Sequence, residues 1–157
     1  AQIDRFMAKI SIKYPSPEEM KSILDETTSG KDTVVNKVID AQKILQMRAL
    51  ALEVPIASHV LDLVTRLIYA THPDSDFAPP MVKKYVRYGA SPRGAQALIL
   101  MSKVAALIAG RYNVSEQDIK NNMLNSLRHR IILSFEGEAE GLRHDEILEE
   151  AFKAAKK

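Results

Sequence analysis

Apolar residues recur at the helical period along most of this chain. Between residues 57 and 71, the apolar positions Val60, Val64, Leu67 and Ile68 fall on one helical face. This spacing is typical of an amphipathic helix that packs on a core. Similar patterns, several of them preceded by helix-start signals, predict further helices over residues 16–27, 38–52, 116–127 and 144–155.

Residues 92–109 form a longer run that is apolar on nearly every side. A helix without a polar face is typically a buried one. We therefore predict an all-α fold, a bundle of about five to seven helices around this buried central helix. Residues 6–12 alternate loosely and contain strand formers, which predicts a short N-terminal strand. Residues 72–80 and 136–141 are predicted to be loops.

Composition limits the function classes. The chain has 157 residues, 46% of them hydrophobic, which suits one domain with a real core. A net charge of +2 is too small to indicate nucleic acid or an anionic membrane as the partner. Cysteine is absent, which excludes disulfides and Cys-based zinc sites and fits a reducing compartment. With no apolar run of ~18 residues and no signal-peptide pattern, we expect a cytoplasmic protein.

The sequence offers no complete active site. Gly30-Lys31 invites a phosphate-loop interpretation, but Asp25 and Asp32 occupy the places where that loop needs Gly and Ser or Thr. The four histidines lie too far apart in sequence to form a helical metal pair, so no metal site is expected. No Ser or Thr has the surroundings of an activated nucleophile.

One arginine occupies an unusual position. Ser91 suits an N-cap and Pro92 the first helical position, which places Arg93 in the first turn of the 92–109 helix. The positive end of the helix dipole disfavours a cation there. An anion bound by Arg93 and the free backbone N–H groups would account for it, and Gly94 would let such a ligand approach closely. The alternative is an ordinary surface arginine at a helix start.

Four segments of the chain resemble a known family. Residues 88–95 (YGASPRGA) resemble the sensor 2 motif of MoxR-type AAA+ ATPases. Residues 110–114 (GRYNV) and 127–133 (LRHRIIL) resemble later segments of the same family. Residues 1–6 (AQIDRF) are similar to its box VII, at the end of the α/β core. The resemblance covers nearly the whole chain and is weakest over residues 29–58.

The resemblance implies that residues 1–15 end an AAA+ core and that residues 16–157 form the helical lid over ATP. It implies that Arg93 is the sensor 2 arginine, with Ser91, Pro92 and Gly94 on the phosphate side of the nucleotide. Arg5 resembles the arginine finger that reaches a neighbouring subunit's ATP. The 6–12 strand would belong to the core sheet, and in this chain it would be disordered, repacked on the helices or paired with another copy.

The resemblance also implies partners. ATP and Mg²⁺ would be held by the chain's own α/β core, encoded before Ala1, so this chain alone should neither hold ATP tightly nor hydrolyse it. We expect a homo-oligomeric ring, a hexamer, that remodels a client protein or inserts a metal into it. Arg128 and Arg130 would contact the adjacent subunit or core, or else bind helix-end carbonyls. A stand-alone helical interaction module is the alternative function, and nucleic-acid binding fits the weak charge poorly.

Overall fold

Eight α-helices and one two-stranded sheet make up the described part of the chain, residues 2–30 and 34–157 of this computed structural model. Ala1 and residues 31–33, which include part of the rejected phosphate loop, lie outside the described residues. A 3₁₀ turn at Ile3–Arg5 precedes helices α1 (Pro17–Thr28), α2 (Ala41–Glu53), α3 (Ser58–Ala70), α4 (Pro80–Tyr85), α5 (Pro92–Ile108), α6 (Glu116–Leu127), α7 (Phe135–Ala139) and α8 (His144–Ala155). Strands β1 (Val86–Tyr88) and β2 (Ile132–Leu133) pair antiparallel.

Local signals explain where several helices begin. Ser16 caps α1 and forms a reciprocal capping box with Glu19, after which Pro17 takes the first helical position. Ser115 and Asp118 form the same kind of box at the start of α6. After α5, Gly110 adopts a positive φ of 69°, the left-handed geometry that ends many helices. These starts and stops confirm the predicted helices to within a few residues.

The core lies between α3, α5, α6 and α8. Helix α5 packs along α6, and α3 packs along α8. The largest fully buried side chains are Leu63, Leu67, Leu98, Ile119, Met123, Leu127, Ile147 and Leu148. The prediction of a buried central helix needs one correction, because Val104 and Ile108 of α5 are 43% and 83% exposed. Helix α5 is central, but one of its faces is open.

The small sheet and α7 were not predicted. Residues 136–141 were expected to be loop, yet Ser134 accepts a hydrogen bond from the Gly137 N–H and starts the short helix α7. A methyl group at Gly137 would lie 2.8 Å from the Tyr85 carbonyl oxygen, so this glycine lets α7 pack against the end of α4. The predicted helix from residue 38 begins at Ala41 instead, where Asp40 is the N-cap.

The predicted strand over residues 6–12 is absent, since these residues have neither strand nor helix geometry. A strand needs a neighbour, and the two described strands pair with each other. Part of the segment lies on the helices instead: the Lys9 N–H donates to the Asn125 carbonyl of α6 at 2.8 Å. The segment was expected to be disordered, repacked on the helices or paired with another copy. Residues 6–9 are repacked on the helices.

The described residues of the first third of the chain contribute no buried side chain to the core. The described residues before Val54 include no buried residue. Several apolar side chains there are open to solvent, including Phe6 at 67% and Ile12 at 89% exposure. Among the described residues, no single helix is long and apolar enough to cross a membrane, although the bent pair α2 and α3 meets that test by length and composition.

Candidate functional site at the start of helix α5

The turn that leads into α5 is fixed to the end of α3. The Ala90 N–H donates to Thr71 Oγ1 at 2.9 Å, and the His72 Nε2 lies 2.9 Å from the Ala90 carbonyl oxygen. A methyl group at Gly89 would lie 2.6 Å from the Thr71 carbonyl oxygen, closer than real contacts allow. The start of α5 therefore has one position relative to α3.

The sequence places Ser91 and Pro92 correctly, but Ser91 has another partner than expected. Ser91 has extended backbone angles at the N-cap, and Pro92 follows at the first helical position. The Ser91 hydroxyl does not cap the helix; it lies 2.8 and 3.0 Å from the two carboxylate oxygens of Asp4 and donates to that group. Asp4 thus brings a negative charge to the positive end of α5, as the dipole favours.

Arg93 lies beside this carboxylate and remains largely open to solvent. Its Nη1 is 3.6 Å from Asp4 Oδ2, beyond hydrogen-bonding distance, and its side chain is 60% exposed. An exposed ion pair of this kind contributes little stability. The guanidinium therefore keeps most of its donors available to an external anion.

Gly94 was expected to let an anionic ligand approach closely, but the structure gives this glycine another role. Gly94 is buried in α5 and faces α6. A methyl group there would lie 3.0 Å from both Arg130 Cδ and Leu127 Cδ2. The close approach that Gly94 permits is that of the Arg130 side chain, and no open surface adjoins its Cα on that side.

Arg130 is buried between α6 and the N-terminal segment, with 2% of its side chain exposed. Its Nε donates to Asp4 Oδ1 at 3.1 Å, and its Nη2 donates to the Asp4 and Phe6 carbonyls at 2.9 and 2.7 Å. Its Nη1 donates to the Met7 carbonyl at 3.3 Å and to the Ser126 carbonyl in the last turn of α6. Arg130 thus binds a helix-end carbonyl, as the second alternative expected, and also the backbone of residues 4–7 of the same chain.

These contacts change the titration of the neighbouring groups. Burial alone would raise the pKa of Asp4, but the hydrogen bond from Ser91 and the charges of Arg130 and Arg93 outweigh it and lower that pKa. Burial lowers the pKa of His129, whose Nε2 lies 2.9 Å from the Phe6 carbonyl oxygen and 2.9 Å from Arg130 Nη1. At neutral pH Asp4 is therefore charged and His129 is neutral, which suits a buried arginine between them.

The other two predicted arginines, Arg5 and Arg128, have different surroundings. Arg5 is exposed at the end of the 3₁₀ turn, directly after Asp4. Arg128 donates from Nε and Nη2 to the Asp145 carboxylate, at 2.9 Å each, and ties the end of α6 to the start of α8. A role for Arg128 or Arg130 at a subunit interface stays a prediction.

Sequence reasoning missed three residues of this cluster: Asp4, Thr71 and His72. Asp4 gave no local signal, because its partners Ser91 and Arg130 are 87 and 126 residues away along the chain. Thr71 is the last residue of the predicted helix and His72 the first of the predicted loop, so neither position indicated a contact with the turn before α5. A glycine two residues before the N-cap was the available hint of a close backbone contact.

The arrangement suits a phosphate and does not suit a metal. Arg93 offers an exposed guanidinium, the group that binds phosphate oxygens by paired hydrogen bonds. The described residues contain no group of three or more His, Asp and Glu side chains that could hold a metal ion. A magnesium ion that accompanies a nucleotide would need its ligands from elsewhere.

Comparisons with known proteins give this geometry a context. Residues 80–151 match the family model of the AAA lid domain. The chain is 31% identical over 140 residues to chaperone MoxR1 of Mycobacterium tuberculosis, covering 89% of this chain and 37% of that protein. It is 28% identical over 142 residues to protein MoxR of Paracoccus denitrificans, covering 83% of this chain and 42% of that protein.

A solved structure has the same fold. The crystal structure of a Cytophaga hutchinsonii protein assigned as an ATPase superposes with a TM-score of 0.87 at 30% identity, over 98% of this chain and 47% of that chain. This chain therefore spans less than half of each of these three proteins. The matched family model begins at α4 and includes the start of α5, Arg93 and Arg130.

Proposed function

We propose that this chain, which belongs to the MoxR-type AAA lid domains, closes over ATP bound to a separate α/β core and takes part in its hydrolysis. In this proposal Arg93 is the sensor 2 arginine that binds a phosphate of the nucleotide. Ser91 and Pro92 fix the start of α5, so that Arg93 has a defined position. Gly94 supports the site from inside by making room for Arg130.

The observation that carries the proposal is the state of Arg93. Its side chain is 60% exposed at the positive end of a 17-residue helix, and its ion pair with Asp4 at 3.6 Å is long. Asp4 supplies one negative charge at this helix end, but its contact with Arg93 is long, so the guanidinium can still bind an external anion. The resemblance of residues 88–95 to the sensor 2 motif supports ATP phosphate as that anion.

The remaining parts of the proposal concern the whole protein. Arg5, exposed at the end of the 3₁₀ turn, acts as the arginine finger on a neighbouring subunit's ATP and stabilises charge on the transferred phosphoryl group. The core supplies the Mg²⁺ ligands, and the subunits form a hexameric ring in the cytoplasm. Its work is chaperone-like remodelling of a client protein, or metal insertion into it, in keeping with the name of the Mycobacterium tuberculosis relative.

The test is steady-state ATP turnover by the full-length protein. We expect Arg93→Ala to weaken turnover or ATP affinity by ~10- to 100-fold, the value of one lost charged hydrogen-bond pair. We expect Arg5→Ala to lower kcat by at least ~100-fold, as loss of transition-state charge stabilisation does. If Arg5 acts across an interface, mixing Arg5→Ala with subunits that keep Arg5 but have an inactivated ATP site in the core should restore turnover that neither variant has alone.

Arg143→Ala is the matched control, since Arg143 is also an exposed arginine at the start of a helix, with 75% of its side chain exposed. It should turn over like wild type. If Arg93→Ala and Arg5→Ala also turn over like wild type, the lid function is refuted, and a stand-alone helical interaction module becomes the better account.

A further inference from the structure

We infer that Arg130 is a positioning residue that holds the 3₁₀ turn and sets the place of Arg5, with Asp4 as the link to Arg93. The inference rests on the proposed function of Arg5 and adds two residues, Asp4 and Arg130, that act through it. It makes the two arginines proposed to meet ATP parts of one connected structure.

The hydrogen bonds of Arg130 show what it holds. Four of its acceptors belong to residues 4–7: the Asp4 carboxylate and the carbonyls of Asp4, Phe6 and Met7. Its fifth acceptor, the Ser126 carbonyl, belongs to α6. Arg5 lies between the residues that Arg130 binds, so its backbone cannot shift unless several of these bonds break.

Apolar packing does not hold this segment in place. Ile3, Phe6 and Met7 are 61%, 67% and 52% exposed. The Lys9 N–H bond to Asn125 at 2.8 Å is the next backbone anchor along the chain. With so little apolar burial, the position of residues 4–7 depends on polar contacts, and most of these come from a single side chain.

Asp4 extends the connection to the start of α5. Its carboxylate accepts hydrogen bonds from Arg130 and Ser91 and lies 3.6 Å from Arg93 Nη1. Because one carboxylate contacts residues on both sides, a shift of the 3₁₀ turn also changes the surroundings of Arg93. Arg93 keeps its own position, because the start of α5 is fixed to α3 and the contact of Arg93 with Asp4 is long, so Arg130 acts on turnover through Arg5.

A double-mutant cycle on ATP turnover by the full-length protein tests the inference. We expect Arg130→Met to lower kcat toward the level of Arg5→Ala, with KM for ATP changed by no more than ~2-fold, since ground-state binding is not the interaction lost. In the Arg5→Ala background, Arg130→Met should cause no further loss, because both changes remove the same interaction. Multiplicative losses, or wild-type kcat for Arg130→Met, would refute the inference.

Arg111→Met is the control for lost stability. Arg111 forms an ion pair with Asp118 at 2.6 Å, closer than the 3.1 Å of the Arg130–Asp4 pair and far from residues 4–7 in the chain. It should lower the unfolding midpoint and leave kcat near wild type at a temperature where the variant is folded. If Arg111→Met lowers kcat as much as Arg130→Met does, the effect of Arg130 is one of stability and the inference fails.

Amide hydrogen exchange gives a readout that does not depend on activity. We expect Arg130→Lys, which keeps the charge but loses the forked geometry, to speed exchange at Phe6 and Lys9 by ~10-fold or more while Leu98 and Met123 stay protected. Uniform acceleration across the chain, or no change at Phe6 and Lys9, contradicts a local role. If Arg5→Ala leaves turnover unchanged, the proposed role of Arg5 fails, and hydrogen exchange alone decides whether Arg130 holds the turn.

Discussion

The two ends of this chain are held in place by different physics. After Val54, the chain is organised by apolar burial, with side chains such as Leu98 and Leu127 fully enclosed. Before Val54, no described residue is buried, and the turn that carries Asp4 and Arg5 is attached by the hydrogen bonds of Arg130.

This difference shows that one region supplies the stability of the domain, while polar contacts fix the position of residues 4–7. Apolar burial is non-directional and supplies most of the free energy of folding. A buried guanidinium contributes little net stability, but it fixes the positions of the acceptors that it binds. The C-terminal region therefore determines whether the domain folds, while one arginine determines where the candidate finger lies.

Truncating a core side chain should give the largest effect. Leu98 in α5 is fully buried, so we expect Leu98→Ala to lower the free energy of unfolding by about 2–5 kcal/mol. Urea denaturation measures this. A cost below ~1 kcal/mol would mean that the core after Val54 is loosely packed, and the contrast between the two regions would fail.

Adding a methyl group at the turn before α5 should cost somewhat less. Gly89→Ala places a Cβ 2.6 Å from the Thr71 carbonyl oxygen, and we expect a loss of about 1–3 kcal/mol in unfolding free energy. Thermal unfolding gives the magnitude. Gly110→Ala, where the strain arises from the positive φ of 69° and nothing lies near the added Cβ, is the comparison variant.

The Arg111–Asp118 ion pair in the C-terminal region should make the free energy of unfolding depend on pH. Hydrogen bonds from the Arg111 side chain and from the Ser115 N–H lower the pKa of Asp118 from its usual 3.8 to about 2, although burial alone would raise it. The charged form is favoured in the folded state, so its contribution is present above pH 4 and is lost as pH falls toward 2. We expect Asp118→Asn to remove about 2 kcal/mol at pH 7 and to flatten the acid limb of the stability curve.

Polar replacement in the N-terminal region should have the smallest effect. Ile12 is 89% exposed, so Ile12→Ser should change the unfolding free energy of this domain by less than ~0.5 kcal/mol. The same urea experiment applies. A loss above ~1 kcal/mol would show that residues 10–14 are buried in solution, and the comparison between the two regions would need revision.

The sequence predicted the elements that are determined by contacts between neighbouring residues, and it missed those that depend on residues far apart in the chain. The capping residues Ser16 and Ser115 mark helix starts within a few positions, because the bonds that they form are local. Strands β1 and β2 have only three and two residues, and more than forty residues separate them in the sequence. No short sequence pattern predicts such a pairing.

The candidate site divides in the same way. The position of Arg93 follows from Ser91 and Pro92 beside it, and so it could be predicted. The burial of Arg130 depends on carbonyls of residues 4–7, and those are brought to it only by the complete fold. Without knowledge of the carbonyls that accept its hydrogen bonds, an arginine such as Arg130 is expected to lie on the surface.

The bond between Arg130 and Asp4 also sets an order of events during synthesis. The two residues are 126 positions apart, so at roughly 5–20 residues per second the ribosome needs roughly 6–25 s to travel from one to the other. Throughout that interval residues 4–7 have been made without their main anchor, and α1 and α2 follow them with their apolar side chains uncovered. Residues 4–7 can therefore take their final place only after Arg130 has been made.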